Sequence, residues 1–472
     1  MAQYSKHYED FLPQEKTNFE VVMIADNFGN LTAGTGATAT DAFGRLRVAE
    51  TFTLGDYKHI YAIDPNFLDV KANGGDIQFT ANKAAATMTT TSNVASSAVH
   101  QTKFYHHYQP GKSQVIFSSV CFGYAQQNVT KRTGYFDDRD GIYFEQVGGT
   151  TANGTDNGTL NFVVRSYTGG SASEATVGNY KRRVPQGNYK RRVPQSEWNI
   201  DPCDGTGPSK FNINTSKTQL VYIDFQWLGV GRIRCGFVHN GQIILAHEYY
   251  CSNELAEVYM SNPNLPVRCE IRNTGTTTGG SMDQICSTVM SEGGYVESGI
   301  DWAITSPAIR TSIAPGGTRF PLMAIRLKNS FQGYPNRISV RPNTIGIFAQ
   351  SGDCYYELIK LSNASQLTTT LNGGTLTWTD ADNDSGVQYC VNAEAITGSV
   401  DVFAAGIVTA GASPNSLTPV ASGGLTTAKK NIIVQNLDST NSEVFVIAVK
   451  TISALSNATA NVAATIQWRE IY

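Results

Sequence analysis

From Gln219 to Trp227 the chain reads QLVYIDFQW, and its side chains sort by parity. Val221, Ile223, Phe225 and Trp227 fall on one side, Leu220, Tyr222, Asp224 and Gln226 on the other. Alternation of this kind describes a strand with one face in a core. A helix would mix the two sets, because its side chains repeat every 3.6 residues rather than every two. Strand-length runs rich in β-branched and aromatic residues recur at QVIFSSVCFGY (114–124), GIYFEQV (141–147), LNFVVRSY (160–167), RIRCGFV (232–238) and QIILAHEYY (242–250). Asp-Arg-Asp-Gly at 138–141 and His-Asn-Gly at 239–241 lie between such runs. They read as hairpin turns, since Asp-Gly and Asn-Gly tolerate the positive φ these turns require. Only NELAEVYM (253–260) suggests a helix, and a short one.

Composition agrees with an all-β chain. Charged residues are 16% of the 472, and the balance is made up by 44 glycines, many Thr, Ser and Asn, 21 Phe and 22 Tyr. That mixture favours strands and turns over long helices. The net charge of −3 sets up no field that points to nucleic acid or membrane. The opening MAQYSKHYEDFLPQEK has no apolar core, so no signal peptide is expected, and no window matches a membrane span. Eight cysteines, at 121, 203, 235, 251, 269, 286, 354 and 390, form no CxxC pair and read as buried reduced thiols.

The spacing of these signals predicts four regions. Residues 1–50, with the Gly/Thr-rich NFGNLTAGTGATATDAFGRLRV, form an extended N-terminal arm. Residues 51–297 form a central antiparallel β-sandwich. Residues 298–319 lose periodicity, carry two prolines and read as a linker. Residues 320–472 resume as strands and form a second β-sandwich or jelly roll. Within the central region GNYKRRVPQ occurs twice, at 178–186 and 187–195. Duplicating a strand would shift its register, whereas doubling a surface loop costs only about 0.6 kcal/mol of closure entropy. The duplication is therefore expected to be an exposed basic loop, 178–195.

Candidate chemistry is sparse. No GxSxG elbow, HExxH or P-loop occurs, and GTGATA (34–39) lacks the strand and helix of a dinucleotide site. Asp137, Asp138, Asp140 and Glu145 are the densest acidic group. They suit a Ca²⁺ site, a pair of glycosidase carboxylates, or a hairpin turn with solvated acids. Asp380, Asp382 and Asp384 echo a calcium loop, but the glycine falls one place late and no Glu closes it. His106 and His107 point to opposite faces if extended, so with His100, His239 and His247 they read as polar strand residues rather than metal ligands. KFYHHYQPGK (103–112) offers Tyr105, His106 and Tyr108 as a sugar platform or a subunit contact. Lys181, Arg182, Arg183, Lys190, Arg191 and Arg192 in the repeat suit a polyanion contact or a solvated loop. No catalytic, cofactor or metal residue is assigned, and a non-enzymatic protein is expected.

Several segments together resemble an uncharacterised group of virion structural proteins of tailed bacteriophages. They are TDAFGRLRV (40–48), QTKFYHHYQPGKSQ (101–114), KRTGYFDDRDGIYFE (131–145), SEWNIDPCDGTGPS (196–209), DFQWLGVGRIRCGFV (224–238), LPVRCEIRNTG (265–275) and ICSTVMSEGGY (285–295). The resemblance covers most of 40–295 and implies a particle component made in the host cytoplasm, with no catalytic residues. The tandem repeat departs from that group, where a shorter connection leads into SEWNID. The expected protein is an exterior virion component (head decoration, collar, baseplate or fibre) that assembles as a homo-oligomer, with a trimer favoured. Other virion proteins, and a host-surface glycan, are its expected partners. The alternatives are a carbohydrate-binding tail receptor module using Tyr105, His106, Tyr108 or Trp198, and a polysaccharide-degrading enzyme using Asp138, Asp140 or Glu145.

Overall fold

The computed structural model describes residues 5–7, 20–22, 50–174, 177–179, 188–189, 191–306, 309–313, 318–369, 375–410, 418–420, 432–435, 441–452 and 459–472. Most of the expected arm and Lys181, Arg182, Arg183 and Lys190 lie outside them. The protein is all-β, built of antiparallel sheets. Among the described residues, helix is confined to three-residue 3-10 turns at Ala81–Lys83, Gln195–Glu197 and Ala364–Gln366. The helix expected at 253–260 is instead a run of turns and bends. Asn253 adopts φ +60, outside the right-handed helical region, so a helix cannot propagate from it.

Two compact units emerge. The first comprises 1–63, 71–99 and 108–295; the second comprises 64–70, 100–107 and 296–472. The second unit thus takes in two short stretches from inside the expected central domain. Lys103, in one of them, reaches Glu443 at 3.3 Å within that unit.

In the first unit an eight-stranded sheet runs Gln242–Tyr249, Ile233–His239, Thr218–Phe225, Gln114–Cys121, Gly280–Glu292, Ala85–Thr90 and Asp76–Thr80. Thr51–Lys58 also pairs with the long Gly280–Glu292 strand. Arg192–Pro194, Thr159–Arg165, Gly141–Val147, Val129–Phe136 and Val267–Asn273 are successive strands of a second sheet. Inward side chains of both sheets form one core, including Val221, Ile223 and Phe225 from the first and Tyr135, Phe144, Phe162 and Ile271 from the second. Alternation on Thr218–Phe225 is as expected, but its other face is not a wet one. Tyr222 and Asp224 are fully buried there; Tyr222 donates to Asp224 at 2.7 Å, and Arg234 Nε donates to the same carboxylate at 2.9 Å. A charge without water needs such a partner.

The second unit has a six-stranded sheet and a five-stranded one. The six-stranded sheet runs Thr379–Asp380, Val387–Cys390, Phe320–Leu327, Val444–Thr451, Cys354–Leu361, Asp401–Val408. In the other, Ala460–Ile471 pairs with Ser339–Ser351, Ile300–Thr305 and Arg310–Ile313. The expected linker therefore supplies two strands. Ile300, Trp302 and Ile304 alternate along the first, and Trp302 lies opposite Trp468. The C-terminal strand is pinned by Glu470, whose fully buried carboxylate accepts from Ser385 Oγ (2.5 Å), Gly386 N (3.0 Å), Trp468 Nε1 (3.0 Å) and Tyr472 OH (3.0 Å). The eight cysteines are free, six of them buried, while Cys121 is half-buried and Cys286 exposed.

The turn at 137–140 is closed by Asp137, which accepts from Arg139 N at 2.7 Å and Asp140 N at 3.0 Å. Gly141 follows at φ +150, and a Cβ there would lie 2.0 Å from Cβ of Phe136. Gly141→Ala is expected to destabilise the first unit by about 3 kcal/mol or more. Denaturant melts of parent and variant measure this directly; equal midpoints would remove the steric argument.

Candidate functional site

The Val129–Phe136/Gly141–Val147 hairpin sends Tyr135, Ile142 and Phe144 into the core. Its opposite parity therefore carries Arg132, Tyr143 and Glu145 to the outer face. Register sets them beside charged or amide side chains of neighbouring strands: Glu270 lies opposite Arg132, Arg132 opposite Glu145, and Glu145 opposite Asn161. Arg132 Nε donates to Glu145 at 2.8 Å and its NH1 to Glu270 at 3.3 Å, while Asn161 Nδ2 donates to Glu145 at 3.2 Å. Cross-strand pairs of opposite charge stabilise a sheet.

The ladder widens into a network. Arg268 donates to Glu270 at 2.9 Å and pairs with Asp138 at 2.9 Å. Arg165 donates to Glu174 at 2.9 Å and to the Asp137 carbonyl at 2.7 Å. Arg192 pairs with both Glu145 and Glu174, and Tyr143 donates to Glu174. Phe136, Tyr143 and Val163 form a small apolar cluster beside them, over which Arg165 and Arg268 stack at 5.5 and 5.4 Å from the Phe136 ring. Glu145 and Glu270 are 0% and 2% exposed, so the centre of the network is internal to the fold, while Asp138 at its edge meets solvent.

Its electrostatics follow from that burial. Loss of water pushes the Glu270 carboxyl upward, but Arg268, Arg132, Arg272 and Arg165 outweigh it and hold the group at about 2. Glu174 is likewise raised by burial and brought down to about 2 by the Tyr143 hydroxyl and Arg165, Arg132 and Arg192. A carboxyl held that low is a poor proton donor near neutral pH. On the core side of the same hairpin, burial lowers Lys131 to about 7, and its Nζ donates to the carbonyls of Phe122 (2.5 Å) and Tyr124 (3.1 Å).

The residues singled out from the sequence distribute as follows. The acidic group is not a set of solvated carboxylates. Asp138 alone is well exposed, and Glu145 sits in the network. Asp140 is buried, accepting from Ser261 N (2.7 Å), Ser261 Oγ (2.5 Å) and Tyr167 N (3.1 Å). Tyr108 and His106, expected at a contact surface, are each 4% exposed. Tyr108 belongs to the core, stacks on Phe225 and accepts from Trp227 N at 2.9 Å. Tyr105 is half-buried with Arg337 over its ring at 4.9 Å. Trp198 packs against Phe162 at 4.8 Å in the core, so it offers no open sugar platform.

The expected exposed loop 178–195 is corrected at its end. Arg191 is 1% exposed and donates to the Tyr259 carbonyl at 2.7 Å, and Arg192–Pro194 is a strand. The second copy of the repeat supplies a core side chain, Val193, which is why it is not free to be a loop. Asp380 pairs with Lys328 and Asp382 accepts from Asp384 N, so the calcium-like acids are spoken for separately. Among the described residues no group of three or more His, Cys, Asp or Glu converges as metal ligands.

Sequence reading missed Arg132, Arg165, Glu174, Arg268 and Glu270. A signal was present: Arg268, Glu270 and Arg272 occupy alternate positions of one strand.

No family model matches the chain, and no curated protein does. Among solved structures it is similar to the CBM2 module of the evolved Dit of Lactobacillus casei BL23 phage J-1, at 9% identity and TM-score 0.32, over 52% of this chain and 99% of that one. It is similar to a legume lectin-like domain from Entamoeba histolytica at 10% identity and TM-score 0.28, over 51% of this chain and 98% of that one. The Emp47p carbohydrate recognition domain is similar at 10% identity and TM-score 0.27, over 50% and 94%.

The network is expected to make the first unit acid-labile. Glu174 and Glu270 lie below their ordinary value of 4.5, so between about 4.5 and 2 the unfolded chain binds more protons than the folded one. Stability from these groups is complete above pH 4.5 and is lost as pH falls toward 2. Thermal melts at stepped pH are expected to drop steeply across that window, and Glu270→Gln is expected to flatten the drop. An unchanged slope in the variant would show that the network does not set it.

Proposed function

We propose that this protein is a non-enzymatic structural component of a bacteriophage virion, an oligomeric exterior protein of the head, collar, baseplate or fibre. One observation carries the reading. The Glu270–Arg132–Glu145 ladder is built entirely from two segments of the virion-protein resemblance, 131–145 and 265–275, and it spends their carboxylates on holding a sheet together. A hydrolase would need one of these acids free to give up a proton and another free to attack or activate water. Here Glu145 and Glu270 are committed to arginines, and Asp140 to Ser261 and Tyr167. Two rigid all-β units suit a particle surface that must survive outside the cell. The carbohydrate-binding alternative retains Tyr105 from its four candidate contact residues as the half-buried one, with Tyr108, His106 and Trp198 buried.

Density-purified particles from a host producing this protein, digested and quantified by mass spectrometry, test the proposal. The protein is expected at a fixed copy number relative to the major head protein. Its presence in the lysate but absence from particles would overturn the reading. Light scattering on the purified chain is expected to give a trimer of the 51.1 kDa subunit. Saturable binding on a glycan array would move the role to the receptor module.

A further inference from the structure

In the second unit three segments meet around one open cleft: Lys103 with Tyr105, Asn336 to Ser339, and Val434 with Gln435. Local structure sets each of them. Asn336 is buried; its Oδ1 accepts from Ile338 N at 3.1 Å and its Nδ2 donates to the Gly386 carbonyl at 2.8 Å. Ile338 is buried in the core, so alternation turns Arg337, between the two, into the half-buried lining. Residues 432–435 are laid beside the Ser339–Ser351 strand by Ile433 N, which donates to the Val340 carbonyl at 3.0 Å. Counting its solvent-filled mouth, the cleft measures about 220 Å³, and its enclosed part has room for about one water-sized group.

One buried group in this lining lacks a partner. Gln435 is 6% exposed, and its Nε2 donates to the Lys328 carbonyl, which fixes the orientation of the amide. Its Oε1 accepts no hydrogen bond among the described residues. A buried acceptor in that state costs free energy until a donor reaches it. Around it the lining is cationic. Arg337 lies over the Tyr105 ring at 4.9 Å. Lys103 pairs with Glu443 at 3.3 Å, but Lys360 pairs with the same carboxylate at 2.7 Å, so Glu443 does not neutralise Lys103 alone. Neither Asp nor Glu is among the described residues that line the cleft.

We propose that this cleft binds the carboxylate of an acidic residue in a partner peptide, with a neighbouring main-chain N–H of that peptide donating to Gln435 Oε1. Lys103 and Arg337 supply the cations, and charge-assisted bonds to a carboxylate are shorter and stronger than neutral ones. A guanidinium that stacks by its face keeps its N–H donors in the plane for oxygen. An acidic residue within a chain brings both the anion and the N–H that the lining calls for. The narrow interior admits a carboxylate tip, whereas a sugar ring would need the face of Tyr105 that Arg337 covers. The site is independent of the virion reading, since a chain absent from particles would still bind such a peptide.

Saturation-transfer NMR on the full chain tests this with three ligands: the blocked peptide acetyl-Gly-Asp-Gly-Gly-amide, its Asn counterpart, and glucuronate. The Asp peptide is expected to bind saturably, and the Asn peptide and glucuronate about tenfold more weakly or not at all. Arg337→Gln and Lys103→Gln, each shown by its melt to be folded, are expected to weaken the Asp peptide about tenfold. Either variant suffices if the other fails to fold. Absence of saturable binding, or equal binding of the Asp and Asn peptides, overturns the proposal. Glucuronate binding as tightly as the Asp peptide overturns the peptide assignment in favour of an acidic sugar. Unchanged binding in the folded variants removes the site from this cleft.

Discussion

Arg132 is the side chain around which the first unit's outer face is organised. It bridges two strands by pairing Glu145 on one side and Glu270 on the other, in a place where neither acid meets water. Charges removed from water are tolerated only when their partners are fixed close by. That requirement propagates outward. Glu270 draws in Arg268, which holds Asp138 of the hairpin turn; Glu145 draws in Arg192, which brings the edge strand and Glu174 together. Removing one partner would leave the other buried and uncompensated, so the network specifies register more strictly than apolar contacts alone.

The opposite sheet follows the same rule with different residues. Asp224, Arg234 and Tyr222 are buried on the face away from the core, and they close on one another. Both sheets therefore carry buried, paired charges on the face away from the shared core. This accounts for a chain with only 16% charged residues in which many of those charges are structural.

The strands were legible because their inward residues are few in kind and strictly alternate. GIYFEQV, RIRCGFV and QIILAHEYY were placed within a residue or two of Gly141–Val147, Ile233–His239 and Gln242–Tyr249. The charged face was not legible, because a single strand shows a charge at alternate positions without naming what lies across from it. Arg132 becomes informative only when register sets it between Glu145 and Glu270. The passage around Trp302 was read as a linker because prolines obscured a short alternation whose partner, Ala460–Ile471, lies far along the chain. Grouping 64–70 and 100–107 with the second unit likewise depends on distant residues such as Glu443.

The repeat shows how local reasoning reaches a correct premise and a wrong placement. A duplicated strand does scramble a sheet if both copies must fit in it. An edge strand escapes that condition, because the sheet needs one copy and can end there. Val193 fills the core position, Pro194 closes the edge without an unused donor, and Arg192 completes the ion pairs of Glu145 and Glu174. The three properties that make VP an edge sequence (one core side chain, no outward N–H and a short pairing length) are also the properties that allow a second copy to be present without penalty to the sheet. Tolerance of the duplication therefore arises from where in the sheet it falls, at the last strand, rather than from its being outside the sheet.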